Sequence, residues 1–279
     1  GPFVKKFEEA FARKIGKRYA IAVTNGTTAL EAAVRALGIK EGDEVIMPTF
    51  TIISCAAAIV RNGATPVLVD SEPDTWNMNV AQIEAKITDK TKAIMAVHIY
   101  GLPVNMEPIL QIAKKYELKI IEDAAEAIGL EYKGRQCGSI GDISVFSFYP
   151  NKHITTGEGG MILTDSDELA DRCKSLRDLC FIPDQRFVHK ELGWNLRMTN
   201  MQAALGLAQL ERLDEHLKKK RYIGKKYHEL LKDMKCIQLP LPSTSYAKNI
   251  YWVFGIILKE SVPFDAKEAM RRLSAKGIG

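Results

Sequence analysis

The segment Ile143-Ser-Val-Phe-Ser147-Phe-Tyr149-Pro-Asn-Lys152-His-Ile-Thr-Thr-Gly157-Glu-Gly-Gly160-Met-Ile-Leu-Thr164 is two apolar runs joined by a polar loop. Both runs, 143–148 and 160–164, are short, apolar and free of proline, and they predict strands buried on two faces. The loop between them carries one lysine, Lys152, and then the glycines that lead into the second strand. A dinucleotide fingerprint needs its glycines between a strand and a helix, so this is not one. Most lysines are surface solubilisers. One flanked by apolar strands and tight glycines is partly desolvated, and desolvation lowers its pKa and makes the amine nucleophilic.

Toward the N-terminus the same reading repeats. Further short apolar runs at 19–23, 44–47, 66–69, 93–98 and 119–122 alternate with helical periodicity at 27–37, 52–61 and 106–116, and a helix is expected at 167–179 after the last strand. The alternation predicts an α/β fold with a mainly parallel seven-stranded sheet and helices on both faces. Toward the C-terminus, Met201, Ala204, Leu205, Ala208, Leu210, Leu213 and Leu217 form a stripe that predicts one long helix over 199–231. The basic cluster of Lys218, Lys219, Lys220 and Arg221 reads as a solvated helix face. Residues 238–245 are a Pro/Ser-rich linker, with a strand expected at 251–258 and a helix at 266–276. Residues 1–237 are therefore expected to form a large domain, and 238–279 a linker and the start of a smaller one. The helical pattern at residue 1 and the stop just after a helix lead us to expect further chain at both ends.

Of the 279 residues, 46% are hydrophobic and 26% charged, enough for one large core. A net charge of +5 is small for the length and indicates no nucleic-acid partner. Cys55, Cys137, Cys173, Cys180 and Cys236 are odd in number and scattered, which suits reduced thiols in a cytoplasmic protein and no metal site. No apolar stretch approaches a membrane span.

In open α/β sheets, ligands gather outside the carboxyl ends of the strands. There, Thr24-Asn-Gly26-Thr27-Thr-Ala-Leu30 is either an anion site at a helix start or an ordinary N-cap. Asp123, in Ile120-Ile-Glu-Asp-Ala-Ala-Glu126, either holds a pyridine nitrogen protonated or caps a helix. Gly193-Trp-Asn195-Leu-Arg197-Met-Thr-Asn200 reads, on physical grounds alone, as capping residues before the long helix. His98 and Tyr149 at the same edge are either substrate contacts or packed, hydrogen-bonded residues.

Taken together, these loops, with Gly42-Asp-Glu-Val-Ile-Met-Pro48, Val97-His-Ile-Tyr-Gly101, Gly141-Asp-Ile-Ser-Val-Phe-Ser-Phe148 and Thr156-Gly-Glu-Gly-Gly-Met161, resemble the DegT/DnrJ/EryC1/StrS nucleotide-sugar aminotransferases of the aspartate-aminotransferase (type I) fold. The resemblance implies pyridoxal 5′-phosphate carried covalently by Lys152, whose amine shuttles protons between cofactor and sugar. It implies Asp123 on the pyridine nitrogen, Glu126 near the ring hydroxyl, and Gly26, Thr27 and Ser147 on the phosphate. Ile52 stands where many members place an aromatic residue over the ring. Asn195 would reach the phosphate held by the other subunit, which implies a homodimer with shared sites. Thr75-Trp76, Arg197 to Asn200 and Tyr251-Trp252 are most similar to the branch that makes GDP-perosamine. The implied reaction moves an amino group from glutamate to GDP-4-keto-6-deoxymannose. A UDP- or dTDP-linked ketosugar is the alternative substrate, and a non-catalytic cofactor-binding regulator the alternative role. Lysine at 152, where the family's dehydratases carry histidine, favours transamination.

Overall fold

A computed structural model describes residues 1–182 and 185–278. Helix α1 (Pro2–Ile15) opens with proline in its first turn and closes on Gly16, whose φ of 86° is the left-handed conformation that glycine tolerates. The chain then alternates through β1 (Tyr19–Val23), α2 (Gly26–Ala36), β2 (Glu44–Pro48), α3 (Ile53–Arg61), β3 (Thr65–Val69), β4 (Thr91–Val97), α4 (Met106–Lys115), β5 (Lys119–Asp123), β6 (Ile143–Ser147), β7 (Gly160–Thr164) and α5 (Asp167–Arg177). All seven expected strands are present, with ends within two residues of expectation.

They form one sheet in the order β1-β7-β6-β5-β4-β2-β3. Strands β3, β2, β4, β5 and β6 pair in parallel, while β7 runs antiparallel to both of its neighbours, β6 and β1. The loop that holds Lys152 is therefore a direct return between adjacent antiparallel strands and needs no crossover helix.

Side-chain alternation along the strands builds two cores, one per face. Ile21, Val23, Val45, Met95, Ile121, Val145 and Ile162 pack toward α2, α3 and α5. Ala22, Ile46, Ile94, Ile120, Phe146, Met161 and Leu163 pack toward α1 and α4 and the later helices. On the second face Phe7, Phe11, Phe146 and Phe148 interlock at ring-centroid distances of 5.0–5.9 Å in edge-on and tilted arrangements.

Two expectations need correction. The long helix over 199–231 is two helices, α6 (Asn200–Glu211) and α7 (Leu213–Leu231), broken at Arg212, whose φ of −106° and ψ of 9° leave the helical region. The apolar stripe serves two surfaces. In α6 Gly206 packs on the Phe7 ring, where an added Cβ would stand 2.6 Å from the ring, and in α7 Leu213 and Leu217 turn into the core. The expected strand over 251–258 is only Ile257–Leu258, paired antiparallel with Ile237–Gln238. Tyr251 has a φ of 52°, and its ring and that of Phe254 stack beside Tyr227 and His228 of α7, so this run is held as a loop by its aromatic rings while Val253 and Ile256 stay exposed. A last helix, α8 (Ala266–Ser274), follows.

Candidate active site

Strands β1, β4, β5 and β6 point the same way, so their last residues, Val23, Val97, Asp123 and Ser147, share one edge of the sheet. A cavity of about 450 Å³ opens there, lined by Val97, Asp123 and Ser147, by the starts of α2 and α3, and by Lys152 from the β6–β7 loop. The topology thus gathers residues from six separate stretches of sequence, Trp252 among them.

One end of the cavity is rich in donors. Asn25 caps α2: its side chain accepts the Thr28 N–H at 2.9 Å, and the Thr28 hydroxyl accepts the Asn25 N–H at 3.3 Å. Because Asn25 does the capping, the hydroxyl of Thr27 is left for the cavity, where it lies 2.7 Å from that of Ser54 in the first turn of α3. The leading N–H groups of α2 have no partner within the helix, and the helix dipole adds positive potential. Ser147 closes this end. A Cβ on Gly26 would lie 2.8 Å from the Ser147 Cβ, so only glycine lets the two elements approach this closely. Gly160, at the start of β7, is constrained likewise, since a Cβ there would stand 2.4 Å from the Asn25 carbonyl oxygen.

Asp123 forms part of the floor. No helix follows β5, so the helix-cap alternative falls. Its Oδ1 accepts the Ala125 N–H at 3.0 Å and its Oδ2 the thiol of Cys55 at 3.3 Å. In the same cavity the Lys152 side chain is 10% exposed, with Nζ 3.8 Å from Glu126 Oε1 and 3.6 Å from the centre of the Trp252 ring. Burial lowers the pKa of Lys152, against the pull of Glu126 and Asp123. Burial also raises Glu126 to about 7, although Lys152 and the Tyr100 N–H, 2.8 Å from Oε2, oppose it. Burial thus disfavours the charged form of each group.

Of the expected residues, Gly26, Thr27, Ile52, Asp123, Glu126, Ser147, Tyr149 and Lys152 all line this cavity. Ile52 and Tyr149 are 59% and 48% exposed at its rim. His98 does not reach it. It is wholly buried, with Nε2 2.9 Å from Glu122 and Nδ1 accepting the Val104 N–H at 3.3 Å, so the packed alternative describes it. Asn195, in an isolated bridge to Asp178, is exposed and lies outside its own chain's cavity. Sequence reasoning missed three contributors. Ser54 carries the same signal as Thr27, a hydroxyl in the first turn of a helix. Cys55 gave no signal. Trp252 comes from beyond the linker, where its indole N–H donates to the Asn151 carbonyl at 2.9 Å, and only the resemblance marked it.

The DegT/DnrJ/EryC1/StrS aminotransferase family description matches residues 1–279. The chain belongs to that family. The aminotransferase is 46% identical over 279 residues to the GDP-perosamine synthase of Caulobacter vibrioides, spanning all of this chain and 75% of that protein. It is 47% identical over 259 residues to the GDP-perosamine synthase of Escherichia coli O157:H7, covering 93% of this chain and 70% of the relative. Among solved structures, S. venezuelae DesV in complex with a ketimine intermediate superposes with a TM-score of 0.93 at 34% identity, over 100% of this chain and 73% of that one. The aminotransferase is a sugar aminotransferase whose cofactor is pyridoxal 5′-phosphate.

The cavity fits that group. The donor-rich cup around Gly26 suits a phosphate, an acid on the floor suits a ring nitrogen, and a buried amine suits an aldehyde. Elsewhere, His98, Glu122 and Cys137 come within 4.8 Å of one another. Glu122, however, accepts the N–H groups of Gly138, Ile140 and Gly141 as well as the His98 contact, so protein donors use both its oxygens. Among the described residues, no helix is long and apolar enough to cross a membrane.

Proposed function

We propose that this aminotransferase moves an amino group from glutamate to the keto carbon of GDP-4-keto-6-deoxymannose, giving GDP-perosamine. The observation that carries the chemistry is that Lys152 and Asp123 line one cavity, with Glu126 3.8 Å from the amine. The similarity to GDP-perosamine synthases supports the choice of sugar. When bound, pyridoxal 5′-phosphate supplies an aldehyde that takes up the amine and a ring that withdraws electrons. Lys152 would hold the cofactor, and its amine would move protons at Nζ. Asp123 keeps a negative charge against the ring nitrogen. Glu126 meets the ring hydroxyl, and Gly26, Thr27 and Ser147 bind the phosphate. Ile52 covers one ring face by aliphatic contact, and Tyr149 at the rim touches substrate.

The enzyme works as a cytoplasmic homodimer, in which Asn195 of each subunit completes the phosphate site of its neighbour. The exposure of Asn195 outside its own cavity supports that reading. Residues 238–279 open a smaller domain against the large one. The test is to screen GDP-, UDP- and dTDP-linked 4-ketosugars with glutamate and to identify the amino sugar formed. Amination of the GDP-linked ketosugar with a kcat/KM well above the others is expected, and preference for another nucleotide would overturn the substrate assignment.

A further inference from the structure

Cys55 lies in the first turn of α3, one residue after the cavity-lining Ser54. It is wholly buried, and its sulfur has two polar neighbours, Asp123 Oδ2 at 3.3 Å and Thr51 Oγ1 at 3.2 Å. A thiol has one hydrogen. With that hydrogen directed to the carboxylate, the Thr51 hydroxyl must be the donor to sulfur, so the polarity runs from Thr51 through Cys55 to Asp123. Burial, and after it the Asp123 charge, push the thiol's pKa well up, so it keeps its hydrogen. The Ala125 N–H meets the other carboxylate oxygen at 3.0 Å. One donor on each oxygen leaves the carboxylate a single rotation.

We propose that Cys55 is a positioning residue: anchored by Thr51, its thiol fixes the plane of the Asp123 carboxylate so that the remaining lone pairs face the cofactor's ring nitrogen. This rests on the role of Asp123 given above. A thiol suits the task because it is a weak donor. It orients the acid yet leaves most of the negative charge for the ring, whereas a strong donor would compete for it.

The experiment compares Cys55→Ala, Cys55→Ser and Thr51→Val in the full-length enzyme, with Asp123→Asn as the reference. Three readouts are needed: affinity of the cofactor-free protein for pyridoxal 5′-phosphate, the pH midpoint of the bound cofactor's visible band, and kcat and KM. Cys55→Ala is expected to weaken cofactor affinity and lower kcat by about threefold to tenfold, with the KM for the sugar nucleotide nearly unchanged. It should also displace the pH midpoint in the direction that Asp123→Asn does, while Cys55→Ser, which returns a donor to the carboxylate but a stronger one, should displace it less than alanine does. Thr51→Val should displace it less, and it keeps the test open if Cys55→Ala does not fold. An unmoved midpoint in the alanine and valine variants, or a serine variant as impaired as the alanine one, overturns the proposal. An unmoved midpoint in Asp123→Asn would instead remove Asp123 from the site.

Discussion

Lys152 and Glu126 show how one burial event acts on two groups of opposite charge. Each loses solvation, each shifts toward neutrality, and their separation of 3.8 Å offsets only part of the cost. Replacing Lys152 by alanine should abolish the visible band of the bound cofactor and lower turnover at least about a thousandfold. Retained turnover would remove this amine from the chemistry. Glu126 predicts a pH effect on stability. Its folded pKa of about 7 exceeds its usual 4.5, so between these values the folded protein binds more protons than the unfolded chain, and stability falls as pH rises. Glu126→Gln should flatten that fall in the cofactor-free protein. The gain at pH 8 should be at most about 3 kcal/mol, less whatever Lys152 loses with its counter-charge. Thermal melts across this pH range, in both proteins, check the sign.

At the scale of elements, the close contact between the start of α2 and the end of β6 is decisive. Gly26→Ala would bring a methyl group within 2.8 Å of the Ser147 Cβ. The expected result is cofactor affinity reduced about tenfold or more with a smaller change in melting temperature, because the displaced atoms line the cavity. Phe11→Ala should do the reverse. Loss of its ring from the interlocked aromatic group should cost about 3–5 kcal/mol of stability, and the cofactor affinity of the folded fraction should stay unchanged. Denaturant melts and cofactor titrations distinguish the two. All seven strands were legible in the sequence because buried strands declare themselves through short apolar runs. Asp123 was legible as the acid that ends a buried strand, and Lys152 as a polar residue in the loop after one. The break at Arg212 was not, since an apolar stripe continues through it, and neither was the loop at Tyr251, where the aromatic rings find partners on α7 that no periodicity encodes. Trp252 and Cys55 reach the site by tertiary packing alone.

For the whole molecule, the proposed dimer makes a test in which two defective chains repair one another. A Lys152→Ala subunit still offers its Asn195, and an Asn195→Ala subunit still offers its Lys152. Co-assembled, they should form one intact site per mixed dimer and recover activity that neither variant shows alone. Activity no greater than the average of the two parents would place Asn195 outside the neighbouring site. The central claim, however, is a single covalent attachment, and the most direct measurement is peptide mass spectrometry of the full-length, cofactor-loaded enzyme after borohydride reduction. A pyridoxyl group on the peptide's Lys152, absent without reduction, is the expected result. A pyridoxyl group on another lysine, or none at all in protein that holds the cofactor, would contradict the account.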